Sequence, residues 1–137
     1  MKKIDNQTVV IDKNAYNIVE KLSDFNNFKE FLPENKVKDW QIDGNVCSFT
    51  VANIGNISVE LESDIETLNI KYKTLKSPVH LELVFELTKL TENSTQIDIS
   101  VFSNSNPMVL MMIKHPIRNL LQMITEKANE LSDKLIS

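Results

Sequence analysis

Apolar residues alternate with polar ones through most of the middle of the chain and recur at helical spacing only near its two ends. Residues 2–11 end in Thr8-Val9-Val10-Ile11, a β-branched run that suits a strand. Asp12 is placed to cap a helix over 13–22, where Ala15, Ile18, Val19 and Leu22 share one face. Ser23 or Asp24 then caps a second short helix with Phe25, Phe28, Phe31 and Leu32 on one side, and Pro33 ends it.

From about 36 to 103 the pattern predicts six consecutive antiparallel strands. Asp43-Gly44-Asn45 is a tight turn between Lys38–Ile42 and Val46–Ala52, and Asn53–Asn56 is a second turn. Ile57, Val59 and Leu61 alternate with Ser58, Glu60 and Glu62, as in a sheet with one wet face. Residues 70–74 and 79–87 repeat the pattern, Thr91–Thr95 turns the chain, and Ile97, Ile99 and Val101 continue it. Asn106-Pro107 opens a last helix over 106–135, a side-chain cap followed by proline at the first helical position. Its stripe runs through Val109, Ile113, Ile117, Leu120, Leu121, Ile124, Ala128, Leu131 and Leu135, with Pro116 inside it as an expected kink.

The order is strand, two short helices, six strands, long helix. A single long amphipathic helix after such a sheet must bury its stripe on the concave face, which makes the fold α+β. Leu22-Ser23-Asp24-Phe25-Asn26-Asn27-Phe28 with Leu32-Pro33-Glu34 is similar to the segment between short helices and second strand in small bacterial members of the START-like (SRPBCC) superfamily. Asn104-Ser105-Asn106-Pro107-Met108 with Met111-Met112 resembles the start of their final helix. The resemblance spans the whole chain. It implies a helix-grip fold, with seven curved strands around a C-terminal helix, and a small-molecule cavity. The superfamily includes pollen allergens, polyketide cyclases and lipid-transfer domains.

At 137 residues one domain, 1–137, is the default. A net charge of -4, with Arg118 the only arginine, argues against binding a phosphate backbone, so no nucleic-acid partner is expected. Cys47 stands alone, which rules out an intramolecular disulfide. The start turns polar at once after Lys2-Lys3-Ile4, unlike a signal peptide, and no apolar run approaches the ~18 residues of a membrane span. A cytoplasmic protein with no stable membrane insertion is expected, a monomer or weak homodimer.

His80 and His115 are isolated, with no HExxH-type spacing, so neither a metal nor a cofactor is expected, and no catalytic residue is assigned. Cys47 shares a strand face with Phe49 and Val51, as a small buried hydrophobe does. Glu60, Glu62, Glu82 and Glu86 alternate with apolar residues and form a solvated outer row. The informative set is apolar. Trp40, Phe49, Val59, Tyr72, Leu81, Leu83, Phe85, Ile99 and Val101 face inward by alternation, and Met108, Met111 and Met112 crowd the first turns of the last helix. These twelve are the candidate ligand-binding residues, with the methionines closing the cavity and Tyr72 and Trp40 as its polar handles. Thr74 and Ser103 add hydroxyls at the rim. The leading reading is non-catalytic binding or transport of a small hydrophobic molecule, a lipid, quinone or polyketide-like compound. One alternative is a cyclase or dehydratase using Tyr72 or His115 as proton donor; the other is a ligand-free interaction module.

Overall fold

The computed structural model describes residues 1–31, 35, 37–52, 55–75 and 79–134. Strand β1 (Lys2–Ile11) leads into α1 (Ala15–Leu22), α2 (Phe25–Phe28) and a 3-10 turn (Lys29–Phe31). Six strands follow: β2 (Val37–Asp43), β3 (Val46–Val51), β4 (Gly55–Asp64), β5 (Asn69–Thr74), β6 (Leu81–Thr91) and β7 (Ser94–Ser103), and then α3 (Pro107–Lys134). Leu32, Pro33, Asn53, Ile54 and Leu135, and the side chains of Phe28, Phe31 and Leu131, lie outside the described residues.

The strands form one antiparallel sheet in the order β1-β7-β6-β5-β4-β3-β2. Consecutive strands β2 to β7 pair as hairpins, and β1 closes on β7 with Ile11 opposite Thr95. Irregularities in three ladders, at Lys3/Asp5, Lys38/Gln41 and Lys89/Thr91, accompany the sheet's curvature. Gly44 turns the β2–β3 hairpin at φ 62, a conformation that favours glycine.

Two local expectations give way to side-chain chemistry. Asn14, not Asp12, caps α1: its Oδ1 accepts from the backbone N–H of Tyr16 (2.9 Å) and Asn17 (3.4 Å). Its Nδ2 donates to the Glu92 carbonyl at 2.9 Å, tying the helix start to the β6–β7 hairpin. That hairpin is tighter than the five-residue turn expected, since the ladder runs to Thr91 opposite Ser94. Thr95 belongs to β7, fully buried, with its hydroxyl donating to the Lys13 carbonyl at 2.8 Å. A buried hydroxyl is tolerated where it finds such an acceptor.

The core lies between the concave face and the helices. Ala15, Ile18, Val19 and Leu22 bury the inner face of α1, while Ile113, Ile117, Leu121, Ile124 and Ala128 bury that of α3. On the outer face Lys73 bridges Glu62 at 2.6 Å and Glu60 at 3.5 Å, and Lys71 lies 3.9 Å from Glu82, so these three carboxylates of the acidic row are paired at the surface. The Lys73 hydrogen bond and charge lower the Glu62 carboxyl below its ordinary value. No helix among the described residues is long and apolar enough to cross a membrane.

Candidate functional site

Helix α3 rests mainly on β1, with further contact to β7 and the 3-10 turn. Farther across the sheet, toward β3–β5, a cavity of about 70 Å³ separates the middle of α3 from the concave face. The strands supply Phe49, Val59, Tyr72, Leu81, Leu83 and Val101 to its wall, six of the twelve residues expected there. The helix supplies Ile117, Leu120, Leu121 and Ile124, and Val37, Val51 and Ile57 complete the apolar lining. The helical stripe and the strand alternation mark all of these additional residues as core positions except Val37, which precedes the strand expected over Lys38–Ile42.

The other six lie elsewhere. Phe85 and Ile99 are buried in the core beyond the lining. Trp40 stacks on Phe49 with ring centroids 4.9 Å apart and does not reach the cavity. In the β2 bulge Asp39, at φ 58, and Trp40 together fall in the register opposite Phe49, so Trp40 keeps the inward parity expected of it and packs over the Phe49 ring. The methionines do not close the cavity. Met108, Met111 and Met112 are 75%, 82% and 73% exposed, because the opposite face of the same turns, at Ile113, takes the core. Pro116 sits inside α3, which is one continuous α-helix.

Of the two expected polar handles, the Trp40 Nε1 is buried without a hydrogen-bond partner among the described residues, whereas Tyr72 is engaged in the framework. The Tyr72 hydroxyl donates to the Leu22 carbonyl at the end of α1, and desolvation, followed by the charge of Asp24, raises its pKa well above the ordinary tyrosine value. The Thr74 hydroxyl accepts from the Leu81 N–H at 2.9 Å. Ser103 is buried and donates to the His80 carbonyl at 2.5 Å. His80 is exposed, as its strand parity predicts, and His115 is exposed on α3 with Asn119 at 3.3 Å. Neither lines the cavity. Among the described residues, the wall therefore presents no carboxyl, imidazole, amine or thiol group.

Cys47 is buried between its cross-strand partners Ile42 and Val59. Burial pushes its thiol up to about 11, against a smaller opposing effect from the charge of Lys29. A thiol reagent needs the thiolate. Cys47 is accordingly expected to stay unmodified in the folded protein near pH 8 and to react fully in denaturant. Modification of the native protein at the rate of a small free thiol would place it in an open site.

Beyond the inner cavity lies an outer cleft of about 300 Å³, lined by Val51, Ala52, Pro116, Asn119, Leu120, Gln122, Met123 and Glu126. Val51 and Leu120 belong to both spaces, so they form the partition between them. The cleft carries the polar groups that the inner cavity lacks.

No family model and no curated protein matches the chain. Solved structures do. Norcoclaurine synthase of Thalictrum flavum, a point mutant with a transition-state analogue, superimposes with a TM-score of 0.78 at 13% identity, covering 97% of this chain and 95% of that one. An aromatase/cyclase from a Streptomyces species gives 0.74 at 14% identity, covering 97% and 94%. A START superfamily protein of Mycobacterium smegmatis gives 0.63 at 19% identity, covering 93% and 97%. These likenesses establish a START-like helix-grip fold.

Proposed function

We propose that this chain, a START-like helix-grip domain over residues 1–137, binds or transports a small hydrophobic ligand between its sheet and α3. The observation that carries the proposal is an apolar cavity whose Tyr72 and Thr74 hydroxyls already hydrogen-bond to backbone. With so few polar contacts on offer, affinity comes from apolar burial, about 25 cal/mol per Å².

Size refines the ligand. About 70 Å³ is less than the ~150 Å³ that holds benzene and far less than the ~300 Å³ of an ordinary ligand pocket. The partition at Val51 and Leu120 gives the way out of this mismatch. Leu120 is only partly buried, and its displacement joins the inner cavity to the outer cleft. The joined space takes an amphipathic molecule, its apolar body against Phe49, Leu83 and Leu121 and its polar end beside Asn119, Gln122 and Glu126. The site of action is the cytoplasm, consistent with a lone buried thiol.

The fold shared with an aromatase/cyclase supports a cyclase reading as the alternative. It requires a proton donor other than His115, which faces solvent, and turnover of a polyketide-like substrate would favour it.

An environment-sensitive apolar dye is expected to bind the folded protein at one equivalent. Val59→Phe, which extends a ring from β4 into the cavity, should weaken that binding by an order of magnitude or more. It should cost less than the ~1–3 kcal/mol of overpacking a filled core. Full destabilisation of that size, with no dye bound by the parent protein, would mean the interior is a packed core and would end the ligand-binding reading.

A further inference from the structure

The first turns of α3 are apolar on two faces at once. Residues 107–113, Pro-Met-Val-Leu-Met-Met-Ile, form an unbroken apolar run ending at Lys114. Ile113 enters the core, whereas Met108, Met111 and Met112, at i, i+3 and i+4, project together into solvent. An amphipathic helix that leaves such a cluster uncovered marks an interaction surface.

Charge identifies the partner. Beside the methionines, a groove of about 370 Å³ is formed by Ile4, Pro107, Leu110 and Met111 and flanked by Lys2, Lys3 and Lys114. Lys3 also lies over the Phe102 ring, 5.6 Å from its centroid. No carboxylate lines the groove among the described residues. Arg118, one turn beyond Lys114, is 3.9 Å from Asp5 and is not counted among the free cations. On a chain of net charge -4 this is a local reversal of sign, placed where the apolar side chains protrude.

We infer that this face docks reversibly on an anionic lipid surface. The methionines enter the headgroup layer, and Lys2, Lys3 and Lys114 meet lipid phosphates. A bilayer supplies both an anionic plane and a penetrable apolar layer behind it, as a protruding rather than recessed methionine cluster requires. A second copy of this chain fits poorly, because a two-fold contact through the patch would set lysine against lysine. Such docking is peripheral and involves no membrane-spanning helix. It is independent of the ligand proposal, since no residue of this patch lines the inner cavity.

The test is co-sedimentation of the full chain with vesicles of equal phosphatidylglycerol and phosphatidylcholine, compared with phosphatidylcholine alone. Binding is expected to be on the order of tenfold or more tighter to the anionic vesicles and to fall at high salt. Two independent variants, Lys2→Glu/Lys3→Glu/Lys114→Glu and Met108→Gln/Met111→Gln/Met112→Gln, should each lose that preference while keeping the native circular dichroism. Absence of binding to anionic vesicles at low salt overturns the inference, as does undiminished binding by either variant. Self-association of the parent chain abolished by the methionine variant would also overturn it, assigning the patch to a protein partner.

Discussion

Leu121→Ala is expected to lower the free energy of unfolding by about 2–5 kcal/mol, measured by urea denaturation, and a benzene-sized ligand should restore part of the loss. Leu121 is 1% exposed on the buried face of α3. It also lines the inner cavity between Ile117 and Ile124. Truncation therefore removes buried methyl groups from a wall that is already incompletely packed. The neighbours on the sheet side are held by the β-ladder and cannot collapse fully into the gap, so the lost contacts and the enlarged void add together. The void joins an existing space of about 70 Å³, which brings it toward the size at which small aromatic molecules bind dry apolar cavities. A loss below about 0.5 kcal/mol, typical of surface positions, would show that α3 does not bury this face.

Most of the architecture was legible because two periodicities do not overlap. Period-two alternation separated Cys47, Phe49 and Val51 from the wet residues between them, and period 3.6 selected Ile113, Ile117, Leu121 and Ile124. The candidate site was less legible, for three physical reasons. Alternation predicts a face and not a void, so Phe85, Ile99 and Val59 were indistinguishable until the distance between α3 and each strand was known. Trp40 faces inward as alternation predicts, but its ring is taken up by stacking on Phe49, and Asp39 carries no glycine-like signal of its positive φ in the β2 bulge. The methionines lie in a run apolar on every side, where helical spacing cannot say which side faces the core. The α1 cap, expected at Asp12, falls at Asn14. Asp12 and Asn14 are both residue types that cap well, and Asn14 also donates its Nδ2 to the distant Glu92 carbonyl, a contact outside the reach of local pattern.

Tyr72 is where the framework and the candidate site meet, and its two substitutions should separate the two roles. Its ring lines the cavity and joins Phe25 (6.0 Å, tilted) to Phe85 (5.9 Å, edge-on), linking α2 to the sheet. Its hydroxyl holds the last carbonyl of α1. Tyr72→Phe keeps the ring and withdraws the donor, leaving the Leu22 carbonyl short of a partner, and should cost about 1–3 kcal/mol. Tyr72→Ala also removes the ring, and the loss should rise at least to the ~3–5 kcal/mol seen for buried aromatic truncations. Ligand affinity distinguishes them further. The Phe variant retains an apolar wall and is expected to bind an apolar dye as the parent does, whereas the Ala variant changes the cavity's shape. The pH dependence has a definite sign. Burial raises the folded-state pKa, so the stability this group contributes is fully present below the unfolded value of about 10 and is lost as pH rises toward the folded value. The parent protein should thus lose stability above pH ~10 more steeply than Tyr72→Phe, whose side chain does not titrate. Parallel alkaline unfolding of the two would show that the Tyr72 hydroxyl is not the link between α1 and the sheet.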